Sequence, residues 1–205
     1  MPNRARPGSL LRELRVDLAQ LKANLAAARD SGFVEADVSA NGYNLGADVV
    51  IRLATEVGLG ITTTPNGSAE IIYGLNGKNT PFQLVGEVIR SKPAKAGSGV
   101  SYGYIHKLEA DTNLALVAIG FCDGIPRAAS ANFQATVDGE HYAGVGRIAM
   151  DQCVLETGNT VLQPGQEVEF FSEQFTIANW ASVAGIYPQE LLLHIGPRVE
   201  RVYKS

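Results

Sequence analysis

VSYG (100–103), IGFCDGIPR (119–127), VDGEHY (137–142) and GVGRIAMDQ (144–152) are four glycine-marked signals that follow one another in a single stretch of this chain. The apolar runs LALVAI (114–119) and FQATV (133–137) between them have strand length. Asp138 and Gly139 supply the two residues that a tight type I′ hairpin turn needs at positive φ. The stretch therefore predicts antiparallel β structure. Three of the signals end a strand in small residues and then present a side chain with chemistry to offer: Tyr102, Asp123 with Arg127, and Asp151.

Composition bounds what the rest can be. With 205 residues, 45% apolar and 19% charged, the chain can bury a core in one or two domains. A net charge of -4 gives no footprint for nucleic acid or an anionic membrane surface, so neither is expected as a partner. No apolar run approaches the roughly 20 residues of a membrane span, and the first residues lack the apolar core of a signal peptide. Cys122 and Cys153 are too few for a disulfide framework, although one bridge stays open. A reducing cytoplasm is the plainer expectation. His106, His141 and His194 are scattered, and no metal site is expected.

Outward from the central stretch, Leu14, Leu18, Leu21 and Leu25 recur at three- and four-residue spacing and predict a helix over 14–29 that stops near Gly32. A second helix is expected over 48–57, with Val49, Leu53, Ala54 and Val57 inward, before a short strand in GLGITTT. Together these make one β-α-β unit. From Phe82 the pattern alternates as a strand and turns through 93–99 toward Tyr102. Asp123 and Arg127 are placed to pair across a Gly-Ile-Pro turn. A strand at 167–171 and two short helices, around 177–184 and from Pro188, complete the chain. The polar join at 76–80 suggests two units, 1–77 and 78–205.

The order VSYG, IGFCDGIPR, GVGRIAMDQ and a closing IGPRVERVY (195–203) resembles the C-terminal β domain of the alanine racemase family, enzymes that depend on pyridoxal phosphate (PLP). The likeness runs over roughly residues 82–205 and implies an α+β, mainly β fold. That fold is a racemase-like β-barrel domain with a small N-terminal α/β remnant of a TIM barrel. Eight barrel units need about 250 residues. Here the patterned stretch before the β domain, 14–77, is about a quarter of that, and SAEIIYGLNG (68–77) resembles the last barrel element. The resemblance implies a homodimer in which Tyr102 acts as base or acid in the other subunit's site. It also implies that the Met150 backbone N–H holds the substrate carboxylate across the interface. Phe121 stands where the family has a tyrosine at the pocket entrance.

VSANGYNLGAD (38–48) resembles the family's cofactor motif, in which a strand ends in the lysine that grips PLP. Ala40, Asn41, Tyr43 and Gly46 agree, and Tyr43 takes the position of a donor to the PLP phosphate. The lysine position, however, is Ser39 and the histidine position is Leu45. A hydroxyl forms no imine and is no ammonium-type acid near neutral pH. The family's pyridine-contacting arginine falls at Gly67, its phosphate-approaching glycine at Ala69 and a phosphate-binding tyrosine at Gln189. No PLP is therefore expected. The expected role is that of a racemase relative inactive on its own: a binding or regulatory module, or an auxiliary subunit paired with a full-length alanine racemase. The alternative is an alanine racemase interconverting L- and D-alanine for cell-wall precursors.

Overall fold

The computed structural model describes residues 11–205. The chain opens with strand β1 (Arg12–Asp17) and helix α1 (Leu18–Asp30), then β2 (Glu35–Asp37), a short turn α2 (Ser39–Tyr43), α3 (Ala47–Glu56), β3 (Gly60–Thr62) and α4 (Ala69–Ile72). There follow β4 (Phe82–Ala94), β5 (Gly99–Val100), β6 (His106–Lys107), β7 (Thr112–Val117), β8 (Gln134–Val137), β9 (Glu140–Gly144), β10 (Cys153–Gly158) and β11 (Glu167–Phe170). Helices α5 (Ile177–Ala184) and α6 (Pro188–His194) precede the last strand, β12 (Glu200–Lys204).

Eight strands form one sheet in the order β11-β8-β9-β10-β7-β4-β1-β12, and a further β11–β4 pairing closes six of them into an antiparallel barrel. The 13 residues of β4 make the closure feasible: its first half pairs with β11 and β1, its second half with β7, and the register shifts between Val88 and Arg90. Such a bulge bends a strand enough to let it serve two neighbours. Asp138 (φ 50) and Gly139 (φ 84) make the turn of the β8–β9 hairpin, as the Asp-Gly pair requires. Apart from the barrel, β2 and β3 pair in parallel around α3, so the expected β-α-β unit is present.

The first helix differs from expectation. Leu14 lies in β1, not in a helix, and α1 begins only after Asp17, whose carboxylate accepts from the Gln20 N–H at 2.9 Å. The reason is tertiary. Leu14 and Val16 alternate inward, fully buried, while β4 flanks the strand on one side and β12 on the other. Two paired neighbours outweigh a local helical period. In α3 the buried residues are Val50, Leu53 and Ala54, with Val49 and Val57 only half-buried. The helix begins one residue earlier than expected, and Val50, not Val49 or Val57, joins Leu53 and Ala54 on its inner face.

One continuous apolar cluster runs from Leu21 and Leu25 of α1 through Leu84 of β4 to Trp180 of α5. Trp180 stacks on Phe133 at 4.8 Å between ring centres and meets Phe170, Phe171 and Phe175 within 6 Å. No helix among the described residues is long and apolar enough to cross a membrane.

Candidate functional site

The singled-out residues fall into two groups. The first surrounds Asp37 at the carboxyl end of β2. Asp37 is fully buried, and its carboxylate accepts from the Ser39 N–H (2.9 Å), the Ser39 hydroxyl and the Tyr43 hydroxyl (2.8 Å). The Thr63 carbonyl oxygen lies 2.9 Å from the same Ser39 hydroxyl. Tyr73 donates to the Asp37 carbonyl at 2.8 Å, and the Asp37 N–H donates to Ser68. The two tyrosine rings sit 4.9 Å apart.

The backbone beside this carboxylate is unusual. From Ala40 to Asn44 every φ is positive, a left-handed turn that costs about 1–2 kcal/mol for each residue other than glycine. It is held from outside. Asn41 Oδ1 accepts from the Ala47 N–H, and Asn44 Nδ2 donates to the Leu192 and Leu193 carbonyls at the end of α6. Arg201 of β12 donates to the Asn44 carbonyl. Local strain of this order persists only where surrounding contacts over-determine it.

Burial, and then the bond to Asp37, pushes the Tyr43 hydroxyl up to about 12. Burial, and then the Asp37 charge, pushes Tyr73 up as well. Both phenols are thus held neutral in the fold while an unfolded chain ionises them near 10. The contribution of Tyr43 is complete below pH 10 and disappears as pH rises through about 12, while that of Tyr73, raised further, outlasts it. Urea midpoints should therefore fall across that interval, and Tyr43→Phe should flatten the fall. A wild-type profile level up to pH 12 contradicts this.

The second group lies on the barrel. Tyr102 opens a 3-10 turn at Tyr102–Tyr104 and is 76% exposed. Its loop rests on the 146–152 turn through Ser101, whose hydroxyl donates to the Arg147 carbonyl at 2.6 Å. Met150 is also exposed, and its carbonyl accepts from the Cys122 N–H. Tyr102, Ala149 and Gln152 border one cavity, so the structure brings Tyr102 to the Met150 turn. Ser39 and Tyr43 belong to the other group; among the described residues no hydrogen bond, ion pair or ring contact joins the two.

Asp123 does not pair with Arg127, which is exposed. Its fully buried carboxylate meets Arg198 at 2.7 Å and Arg12 at 3.1 Å, and accepts from the Gly120 N–H at 2.8 Å. Arg198 also pairs with Asp151 at 2.7 Å. The two arginines arrive from β1 and from just before β12, and this sheet brings them over Asp123. Burial raises the Cys153 thiol, which keeps it protonated. The two cysteines are free, and no cluster of three potential metal ligands occurs among the described residues.

Comparison with known proteins accounts for the barrel. Residues 82–203 match the family model described as alanine racemase, C-terminal domain. The chain belongs to the alanine racemase family. It is 36% identical over 148 residues to an alanine racemase of Streptomyces coelicolor, a match covering 70% of this chain and 37% of that protein. Solved structures share the fold. Alanine racemase from Streptomyces lavendulae superposes with a TM-score of 0.84 at 19% identity, covering 97% of this chain and 98% of that one. The Bartonella henselae enzyme, with covalently bound pyridoxal phosphate, gives 0.81 at 14% identity, covering 97% and 100%. These structural matches reach from end to end, whereas the sequence match spans little more than a third of the relative's length.

For an alanine racemase family member, the Asp37 group is the place to test for PLP. It contains a carboxylate, two hydroxymethyl groups and two phenols, but no amine. The one aldehyde-gripping position by resemblance, Ser39, has its hydroxyl directed at Asp37, and Tyr43 turns its hydroxyl to the same carboxylate. These residues do not fit a coenzyme held through a Schiff base. Sequence reading passed over Asp37 itself. Its signal, a lone carboxylate between Ala36 and Val38 at a strand end, is visible once the strand is known to be buried.

Proposed function

We propose that this chain is an alanine racemase relative that does not racemise alanine by itself and serves as a binding or regulatory module. The carrying observation is that Ser39, at the position of the family's lysine, forms part of a closed hydrogen-bonded group around a buried carboxylate. In this reading residues 1–77 are an α/β remnant of a barrel and 78–205 the β domain, in a cytoplasmic homodimer. Tyr102 and the Met150 backbone keep their family positions without a substrate to act on.

The test is direct. Purified protein mixed with PLP should give no new visible absorbance band, and borohydride should trap no adduct at a defined lysine. A coupled D-alanine assay should stay at background. A stoichiometric adduct, or racemisation above background, overturns the reading in favour of a working racemase. The exposure of Tyr102 beside the Met150 turn favours one second reading, an auxiliary subunit that lends Tyr102 to a full-length racemase. Co-purification with such an enzyme, and loss of its added activity in Tyr102→Phe, would support that reading.

A further inference from the structure

The left-handed turn beside Asp37 is fastened by the other end of the chain. Within it, the Gly42, Asn44 and Gly46 N–H groups donate to the Val38, Ala40 and Asn41 carbonyls. Glycine, and at times asparagine, visits positive φ, but alanine and tyrosine rarely do. Ala40 (φ 49) and Tyr43 (φ 51) therefore hold that conformation only because contacts from outside impose it. The conformation matters because it carries the Tyr43 hydroxyl to the Asp37 carboxylate, 2.8 Å away.

Two of those contacts come from one face of β12. Arg201 and Tyr203 stand two apart on that strand, so they project from the same side of it. Arg201 Nε donates to the Asn44 carbonyl at 3.1 Å, and the Tyr203 hydroxyl donates to the Leu45 carbonyl at 2.8 Å. The other bonds of the Arg201 guanidinium go to the Ile195, Gly196 and Val199 carbonyls, each at 2.7 Å. One side chain thus ties the turn to the segment that links α6 with β12. Gly46 lies so close to the Tyr203 hydroxyl that no Cβ would fit between them. Every bond in this clasp is made within one chain. Yet β12 ends the sheet order, with β1 as its neighbour, and is the last element of the chain. Terminal elements open at a lower free energy than a core does.

We infer that β12 is a latch on the Asp37 group. Arg201 and Tyr203 are positioning residues that keep the left-handed turn closed. Releasing them lets the turn relax and withdraws the Tyr43 hydroxyl from Asp37 while the barrel stays folded. The chain then has two states, one with the buried carboxylate covered by Tyr43 and one without, and anything that moves β12 shifts the balance between them. The inference deepens the regulatory-module reading and rests on it, because it supplies the two-state element such a module needs.

NMR of the full chain tests it in two ways. In the wild type, the Asn44 and Gly46 amides should exchange their hydrogens at least about tenfold faster than the amides of β10, because the turn opens without the barrel unfolding. The second readout is the ionisation of Tyr43, followed through a carbon-13 label at the tyrosine Cζ and assigned by the signal that Tyr43→Phe removes. Arg201→Gln should lower its midpoint from about 12 by at least about half a pH unit, since an opened turn leaves Tyr43 closer to an ordinary phenol. Tyr203→Phe, which removes one hydroxyl, should lower it by less, and decides the matter should Arg201→Gln not fold. The β10 chemical shifts should stay in place in both variants. A merely structural role for β12 would lower stability and leave the Tyr43 midpoint where it is. An unmoved midpoint in the folded variants, or wild-type turn amides that exchange only as slowly as β10, would overturn the inference. The PLP mixing experiment on the same sample separates the failures. A PLP adduct overturns the non-catalytic reading, whereas an unmoved Tyr43 midpoint without an adduct overturns the latch alone.

Discussion

Asp123→Ala should lower the stability of the folded chain by about 3 kcal/mol, toward the lower end of what removing one partner from a buried ion pair costs. Asp123 is fully buried, accepts hydrogen bonds from Arg198 and the Gly120 N–H, and forms an ion pair with Arg12. Alanine leaves that N–H without an acceptor and two guanidinium groups without their carboxylate. The estimate stays low in the range because the Arg198 side chain is 40% exposed and keeps its bond to Asp151, so water makes good part of the loss. Asp123→Asn retains the shape and an acceptor and should cost about half as much. Urea unfolding with an unchanged slope measures both. The effect should also reach the candidate site. Gly120 packs against the Met150 carbonyl so closely that no Cβ would fit there, and the Phe121 and Cys122 N–H groups donate to the Ala149 and Met150 carbonyls. Loss of the Asp123 anchor should therefore broaden the NMR signals of 149–152 before the barrel melts. A change below about 1 kcal/mol would mean that Asp123 behaves as an ordinary surface pair.

What the sequence disclosed was mainly local chemistry. The Asp138-Gly139 turn, the two helices after residue 176 and the β-α-β unit each depend on neighbours within a few positions, and each stands where its pattern placed it. The β11–β4 closure joins residues some 80 positions apart, and no local period encodes it. Leu14 shows the same limit from the other side. Its helical spacing with Leu18 and Leu21 was genuine, yet long-range pairing with Leu84 and Arg201 decided its state. At the site, Ser39 was legible as a chemical departure because an amine and a hydroxyl differ whatever surrounds them. The role of Asp37 was not, because the turn that aims Tyr43 at it is a left-handed run clamped by α6 and β12, more than 140 residues away.

Ser39→Lys should not create a coenzyme-gripping amine at neutral pH, and Asp37 gives the first reason. The new side chain leaves the backbone where the serine hydroxyl now meets the Asp37 carboxylate, so its ammonium finds a fully buried negative charge within reach. An opposite charge at such range favours the protonated amine, and only the free amine attacks an aldehyde. In Ser39→Lys, borohydride trapping with PLP should therefore begin only well above neutral pH and grow as pH rises. Adding Asp37→Asn removes the charge and keeps the side-chain shape. Its midpoint for adduct formation should fall by at least about one pH unit, which at a fixed pH below both midpoints is roughly a tenfold gain in trapped protein. Circular dichroism checks that both variants are folded. Neither should racemise alanine: by resemblance, Gly67, Ala69 and Gln189 stand where the family has side chains or backbone that hold the coenzyme ring and phosphate, and we propose that those contacts are lost along with the amine. Equal trapping by the single and double variants at pH 7 would remove Asp37 from the explanation. Racemisation by Ser39→Lys alone would show that one amine is all this chain lacks.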